Sequence, residues 1–203
     1  MSRPAAIALF LLACGGAQPE PPPPYTPANS PEAPTTCPDA FAAAKAARED
    51  AMESPQKKGE AAKAVFDLAE CEKGQLDRVH ISGARVELYL AEVKLARQQF
   101  ETVKNLYEEV LNYGNPLWTL AATVRLGDVR MAFATKVETA RPRELTPEDV
   151  EQITGVLRVE AASSYRAGLR MGRTATDDES QRWGKAACDG LHAVEPGASC
   201  DVK

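Results

Sequence analysis

From Asn115-Pro116 to about Thr139 the chain reads as one helix with apolar residues on two sides, and that double stripe constrains the fold most. Leu117, Leu120, Val124, Gly127, Met131 and Ala134 recur on one face, and Ala122, Leu126, Val129, Phe133 and Val137 on another. A helix apolar on two sides must be covered on two sides. It therefore lies between other helices and not on the rim of a simple bundle.

The rest of the chain supplies those neighbours. Phe41, Ala44, Ala47 and Ala51 set a first helix from about Pro38 to Glu53. Ser54-Pro55 stops it and restarts the chain, Ser54 as N-cap and Pro55 at the first helical position. That second helix is expected to reach about Glu72 and end at Gly74. A third is expected from about Leu76 to Arg97, with Val86, Leu90 and Val93 on one side, and a fourth from Phe100 to Tyr113, closed by Gly114. After the two-faced helix, Arg141 to Leu145 is a loop. Thr146-Pro147-Glu148-Asp149 then opens a helix to about Gly172, its acidic residues facing the positive end of the helix dipole. Thr176-Asp177-Asp178-Glu179 reads as a capping box for a last helix ending near Glu195-Pro196-Gly197. No stretch alternates as a strand, so the expected fold class is all-α.

Ahead of this body, residues 15–36 hold Pro19, Pro21 to Pro24, Pro27, Pro31 and Pro34, which forbid helix and sheet. Such a segment is expected to be an extended spacer, at most roughly 70 Å long at ~3.1 Å per residue. Before it, Arg3 and a short apolar run lead into Leu11-Leu12-Ala13-Cys14. The run is far too short to span a bilayer but fits the apolar core of a secretory signal. The tetrapeptide resembles the lipobox of bacterial lipoproteins. That resemblance implies a signal peptide over 1–13, a lipidated mature N-terminus at Cys14, a Pro-rich linker over 14–36 and a folded domain over 37–203. Thirteen residues ahead of the cysteine is shorter than usual for such signals, and the positive region is the single Arg3. Gly15-Gly16, with no Asp after the lipid site, implies delivery to the outer membrane, facing the periplasm.

About 165 residues remain for folding, enough for one domain with its own core. The full chain carries 24 Lys and Arg against 29 Asp and Glu, a net charge of −5, with basic residues scattered beside acidic ones. This argues against nucleic acid as a partner. No later stretch is a membrane helix, so membrane attachment rests on lipid alone.

Cys37, Cys71, Cys188 and Cys200 remain after Cys14. An even number in an exported chain points to disulfides. Four cysteines allow three pairings, and the helix order favours Cys37–Cys71 and Cys188–Cys200. Cys37 opens the first helix and Cys71 nearly closes the second, so an antiparallel hairpin returns both to one level. Pro196-Gly197 turns the tail back toward Cys188. There is no CxxC and the histidines are His80 and His192, which excludes the usual zinc-finger spacing. No metal or cofactor is expected.

Three helices share the spacing small residue, aromatic, small residue: Ala62, Phe66, Ala69; Val103, Tyr107, Val110; and Ala161, Tyr165, Gly168. An aromatic knob between two low-profile positions lets a neighbouring helix approach closely. With this motif the chain resembles the tetratricopeptide repeat family, whose second helix carries it. The best single match is Ala84 to Pro116, with Leu90-Ala91 where the family prefers Leu-Gly; Leu126-Gly127 echoes that pair further on. The aromatics stand 41 and 58 residues apart, not the family's 34, and Glu87 and Lys94 occupy the usual Trp and Tyr positions. The resemblance implies a divergent, short right-handed solenoid of antiparallel helical hairpins. With the lipobox and tether, it is similar to repeat-bearing outer-membrane lipoproteins of Gram-negative bacteria, which implies a protein-binding scaffold in an envelope assembly of the secretion, pilus, motility or outer-membrane biogenesis type.

An enzyme is not expected. His80 and His192 lack an HExxH or a carboxylate pattern at ligand spacing, and no phosphate loop or GxSxG occurs. Ser163-Ser164 falls inside a helix. Glu148, Asp149 and Glu151 are explained by the helix dipole. Trp118 and Arg125 are the candidate partner-binding residues, because Trp and Arg dominate interface hot spots. Trp183 is expected to pack in the terminal helix. The alternative function is a groove binding a small or polymeric envelope ligand such as peptidoglycan.

Overall fold

The computed structural model describes residues 37–83 and 85–200. The signal peptide, Cys14 and the Pro-rich linker lie outside the described residues, as does Ala84 at the head of the best repeat match. Among the described residues all regular structure is helical: α1 (Cys37–Asp50), α2 (Pro55–Arg78), α3 (Val86–Asn112), α4 (Pro116–Thr139), α5 (Pro147–Thr174) and α6 (Asp178–Val194).

The starts follow local chemistry. The Ser54 side chain accepts from the Lys57 N–H at 3.2 Å, and Asn115 Oδ1 accepts from the Trp118 N–H at 3.2 Å, each with Pro in the next position. Thr146 and Asp149 form a reciprocal capping box at α5. At α6 the expectation needs correction: Asp177, not Thr176, is the N-cap, and its carboxylate accepts from the Ser180 N–H at 2.8 Å.

Two helix boundaries also differ from expectation. α2 runs past Gly74 to Arg78, because Leu76 is buried and the ammonium of Lys136 caps the helix end. That Nζ donates to the carbonyls of Leu76, Asp77 and Val79 at 2.8, 3.0 and 2.7 Å, partners that water would otherwise supply. Gly83 closes the turn at φ +63°, and a side chain there would overlap the Ala140 carbonyl. The expected third and fourth helices are one helix, α3. Tyr89, Val93, Ala96, Phe100, Val103, Tyr107 and Val110 are all buried at alternating spacings of four and three, an unbroken stripe. Gln98 is exposed and Gln99 is half-buried beside α2, where its Nε2 donates to the Glu72 carboxylate at 2.9 Å. So no hairpin divides Val86–Asn112, and the Tyr107 triad sits in the second half of one long helix.

Each helix packs against the next, and α4 also contacts both α2 and α6. α4 is the centre that its two apolar faces predict: Leu120, Ala121, Ala122, Val124, Val129, Phe133, Ala134 and Val137 are buried on it. Stacked Phe100 and Phe133, with ring centroids 4.9 Å apart, join α3 to α4. Phe66 of α2 meets Tyr107 at 5.7 Å, Trp118 at 5.2 Å and Trp183 of α6 at 6.1 Å. The aromatic surface thus passes from α2 to α6 across α4. Cys37 is bonded to Cys71, and Cys188 to Cys200, with Cα atoms 5.5 and 5.6 Å apart.

Candidate interaction surface

Three cations on α4 do not appear in its apolar stripes, and each goes to different neighbours. Arg125 is 8 % exposed. Its Nε lies 2.8 Å from Glu70 Oε1 of α2, and its Nη1 donates to Asp128 Oδ2 at 2.9 Å. The Tyr107 hydroxyl of α3 donates to Glu70 at 2.6 Å, and the Tyr165 hydroxyl of α5 donates to Asp128 at 2.9 Å. The guanidinium also lies over the Trp183 ring of α6, 5.1 Å from its centroid. One polar cluster therefore touches five helices, α2 to α6.

Burial works against the Arg125 charge, but Glu70 and Asp128 outweigh it and hold its pKa above the usual arginine value. Burial drives Tyr107 and Tyr165 well above the ordinary tyrosine range, and the carboxylates they face add to the rise. The tyrosines stay protonated and act as fixed donors. A buried ion pair of this kind sets which helices meet, and in what register, more than it adds net stability.

Arg125, one of the two candidate partner-binding residues, is buried and engaged on two carboxylates and an indole inside the fold. Trp118 is different. It is half-buried, packed on Phe66 at one side, with Lys63 Nζ 5.8 Å from its ring centroid. Lys63 also pairs with Asp67 at 2.6 Å. Trp118 and Lys63 thus present an aromatic edge and a cation between α2 and α4. Trp183 is fully buried, as its packing role predicts.

The other α4 cations are structural. Arg130 Nε donates to Glu160 at 3.0 Å and its Nη1 to the Ser164 hydroxyl at 2.8 Å, so Ser164 serves helix packing. Lys136 caps α2, and burial holds its pKa below the usual lysine value. Arg158 forks onto Glu138, and Arg48 onto Glu109 at 2.7 Å through both nitrogens, tying α1 to α3.

Tyr165 occupies a slot floored by glycine. A methyl group added at Gly127 would come 2.6 Å from its ring, and one at Gly190 closer still. The Leu126-Gly127 pair therefore has a physical use here: α4 must lack a side chain where the α5 knob enters.

His80 is exposed in the loop after α2. Glu148 and Asp149 lie in the first turn of α5, where Asp149 completes the cap and the Thr146 backbone N–H holds its carboxyl below the usual range. His192 is exposed beside the Cys188–Cys200 bond, a neighbour that a CxxC spacing does not reveal. The i, i+4 spacing of Cys188 and His192 on one helix was the available signal. A cleft of about 460 Å³ opens between the start of α4 and the α5–α6 junction, lined by Leu111, Pro116, Thr119, Met171, Asp177 and Ser180 among others. No helix among the described residues is long and apolar enough to cross a membrane.

No protein-family pattern matches the chain. No curated protein and no solved structure matches it either.

Proposed function

We propose that the chain is a lipid-anchored scaffold at the periplasmic side of an outer membrane, where it binds proteins of an envelope assembly. Leu11-Leu12-Ala13-Cys14 followed by a Pro-rich stretch and an all-helical body is the observation that carries this reading. The chain is then a divergent relative of tetratricopeptide-repeat lipoproteins, its body a short stack of helical hairpins. The contacts of α4 with α2 and α6 support the stack, since repeat proteins pack equivalent helices side by side. The uninterrupted α3 departs from that family's unit. Trp118 with Lys63 is the surface proposed to receive the partner, because a half-buried Trp offers large contact area at little conformational cost.

Acyl chains contribute about 0.8 kcal/mol per buried CH₂, so several together hold a folded body at a membrane. Replacing Cys14 with Ser is expected to release the protein from membranes or block its processing. A Cys14→Ser chain that is still processed and membrane-bound overturns the anchor. For the partner surface, in-cell crosslinking of wild type and Trp118→Ala is compared; equal crosslinks from a folded variant remove Trp118 from the interface. The α4–α6 cleft favours a second reading, a groove for an envelope polymer, which predicts sedimentation of the chain with purified peptidoglycan.

A further inference from the structure

The two disulfides have different surroundings. Beside Cys37 lies the Gln75 side-chain amide at 3.7 Å. Beside Cys188 and Cys200 lies an imidazole. Cys188 and His192 are four residues apart on α6, hence on one face, and Glu195 to Cys200 folds the tail back onto it. His192 Nδ1 stands 4.0 Å from Cys188 Sγ, and Nε2 stands 3.4 Å from Cys200 Sγ. One ring nitrogen and the two sulfurs fall within 4.8 Å of one another, the one such three-donor grouping among the described residues.

The tautomer follows from a further contact. His192 Nε2 lies 2.7 Å from the Ala198 carbonyl oxygen, which can only accept, so Nε2 carries the proton. Nδ1 is left with its lone pair on the Cys188 side. Metal-bound histidines are commonly oriented this way, with the second ring N–H on a backbone carbonyl.

We propose that Cys188, His192 and Cys200 form a metal site when the disulfide is reduced, and that the site takes Cu(I) in preference to Zn(II). Two thiolates and one imidazole are a soft donor set. Structural zinc takes four protein ligands, and a two-cysteine, one-histidine set would leave its fourth position to water, whereas Cu(I) is satisfied by three. A dithiol reductant supplies the two electrons and two protons: the Cys188–Cys200 bond breaks, both sulfurs become thiols, and the donor becomes a disulfide. One Cu(I) then displaces the two thiol protons and forms two S–Cu bonds and one N–Cu bond through Nδ1. Bond lengths near 2.3 Å to sulfur and about 2.0 Å to nitrogen require the two sulfurs to move apart. That movement falls on the tail after Glu195, where Cys200 lies outside α6 and its carbonyl accepts from Arg173. His192 is exposed and both cysteines are half-buried, so reductant and ion have access.

The test uses the full chain, reduced with a phosphine under nitrogen and titrated with Cu(I) held by a chromophoric chelator. Reduced wild type is expected to withdraw one ion per chain more than the Cys188→Ser, Cys200→Ser chain, and the disulfide form none. His192→Ala is expected to weaken binding by at least the ~10-fold that outer-shell partners alone command. The Cys188→Ser, Cys200→Ser chain still carries Cys37 and Cys71, so it sets the background of that second thiol pair; affinity and stoichiometry equal to those of reduced wild type overturn the proposal. Equal affinity in His192→Ala does the same. A tighter hold on Zn(II) than on Cu(I) in a parallel titration overturns the choice of metal. Should a variant fold poorly, the nitrogen-15 shift of His192 Nδ1 in wild type reports directly: it moves on adding Cu(I), and a fixed shift rejects the site.

Discussion

Gly172 of α5 and Gly184 of α6 meet backbone to backbone: a methyl group on Gly184 would stand 3.0 Å from the Gly172 Cα, and one on Gly172 would overlap Gly184 itself. Neither helix can carry a side chain there without separation of the pair. Gly172→Ala is therefore expected to destabilise by about 1–3 kcal/mol, the usual cost of overpacking. Gly74→Ala is the control. That glycine lies inside α2 with nothing within 4 Å of its side-chain position, so Ala should stabilise by about 0.4–1 kcal/mol. Urea midpoints of both variants settle the comparison, and equal shifts of one sign would sink it.

Arg125→Met leaves Glu70 and Asp128 facing each other without a cation. Loss of one partner of a fully buried pair costs 3–5 kcal/mol; here both carboxylates are 31 % exposed, so about 2–3 kcal/mol is expected. Adding Glu70→Gln should recover part of the loss. A double-mutant cycle with no coupling between the two positions would contradict the geometry.

Tyr107 and Tyr165 have pKa values raised in the folded chain, mainly by burial. The native state then holds more protons than the unfolded one above about pH 10, the ordinary tyrosine value. Stability is complete below that pH and falls as pH rises through it. Replacing both with Phe removes the alkaline slope while losing two hydrogen bonds. Chemical denaturation on both sides of that pH measures it; an unchanged slope in the double variant is the adverse result.

On the acid side the sign reverses. Backbone hydrogen bonds from Ser180 and Thr146 hold Asp177 and Asp149 below the usual range, and the Arg48 fork does so for Glu109. Their contribution is present above the ordinary carboxylate range and is lost as pH falls through the lowered values. Asp177→Asn keeps an N-cap that cannot titrate. Its acid limb should be shallower than that of wild type in thermal melts across that range.

Reduction of Cys37–Cys71 opens a loop closed at a sequence separation of 34, expected to cost roughly 3–4 kcal/mol in the chain-entropy model. Non-reducing peptide mapping tests the pairing itself. A Cys37–Cys200 or Cys71–Cys188 peptide would show a different arrangement of the helix ends.

Where residues announce their surroundings, the sequence is easily read. The two stripes of α4 require cover on two sides, and the Pro-preceded caps at Ser54, Asn115 and Thr146 mark helix starts by local hydrogen bonding. Helix ends are less legible because distant groups decide them. Gly74 looks like a stop, but Lys136, sixty residues away from Leu76, caps the helix further on. Gln98-Gln99 looks like a break, although the four-three spacing from Tyr89 to Val110 runs through it. Arg125 is the least legible: its residue type suggests an interface contact, and nothing local in the sequence shows that Glu70, Tyr107 and Trp183 converge on it.

The Phe66–Trp183 contact has a consequence for how this chain can evolve and be engineered. In an open array, a unit can be deleted or duplicated because it touches only its neighbours. Here α2 and α6 share ring surface across α4, so excising or inserting a helical pair would strand an aromatic side chain that belongs to the opposite end. The body should melt in a single transition, which a thermal scan followed by two independent probes checks.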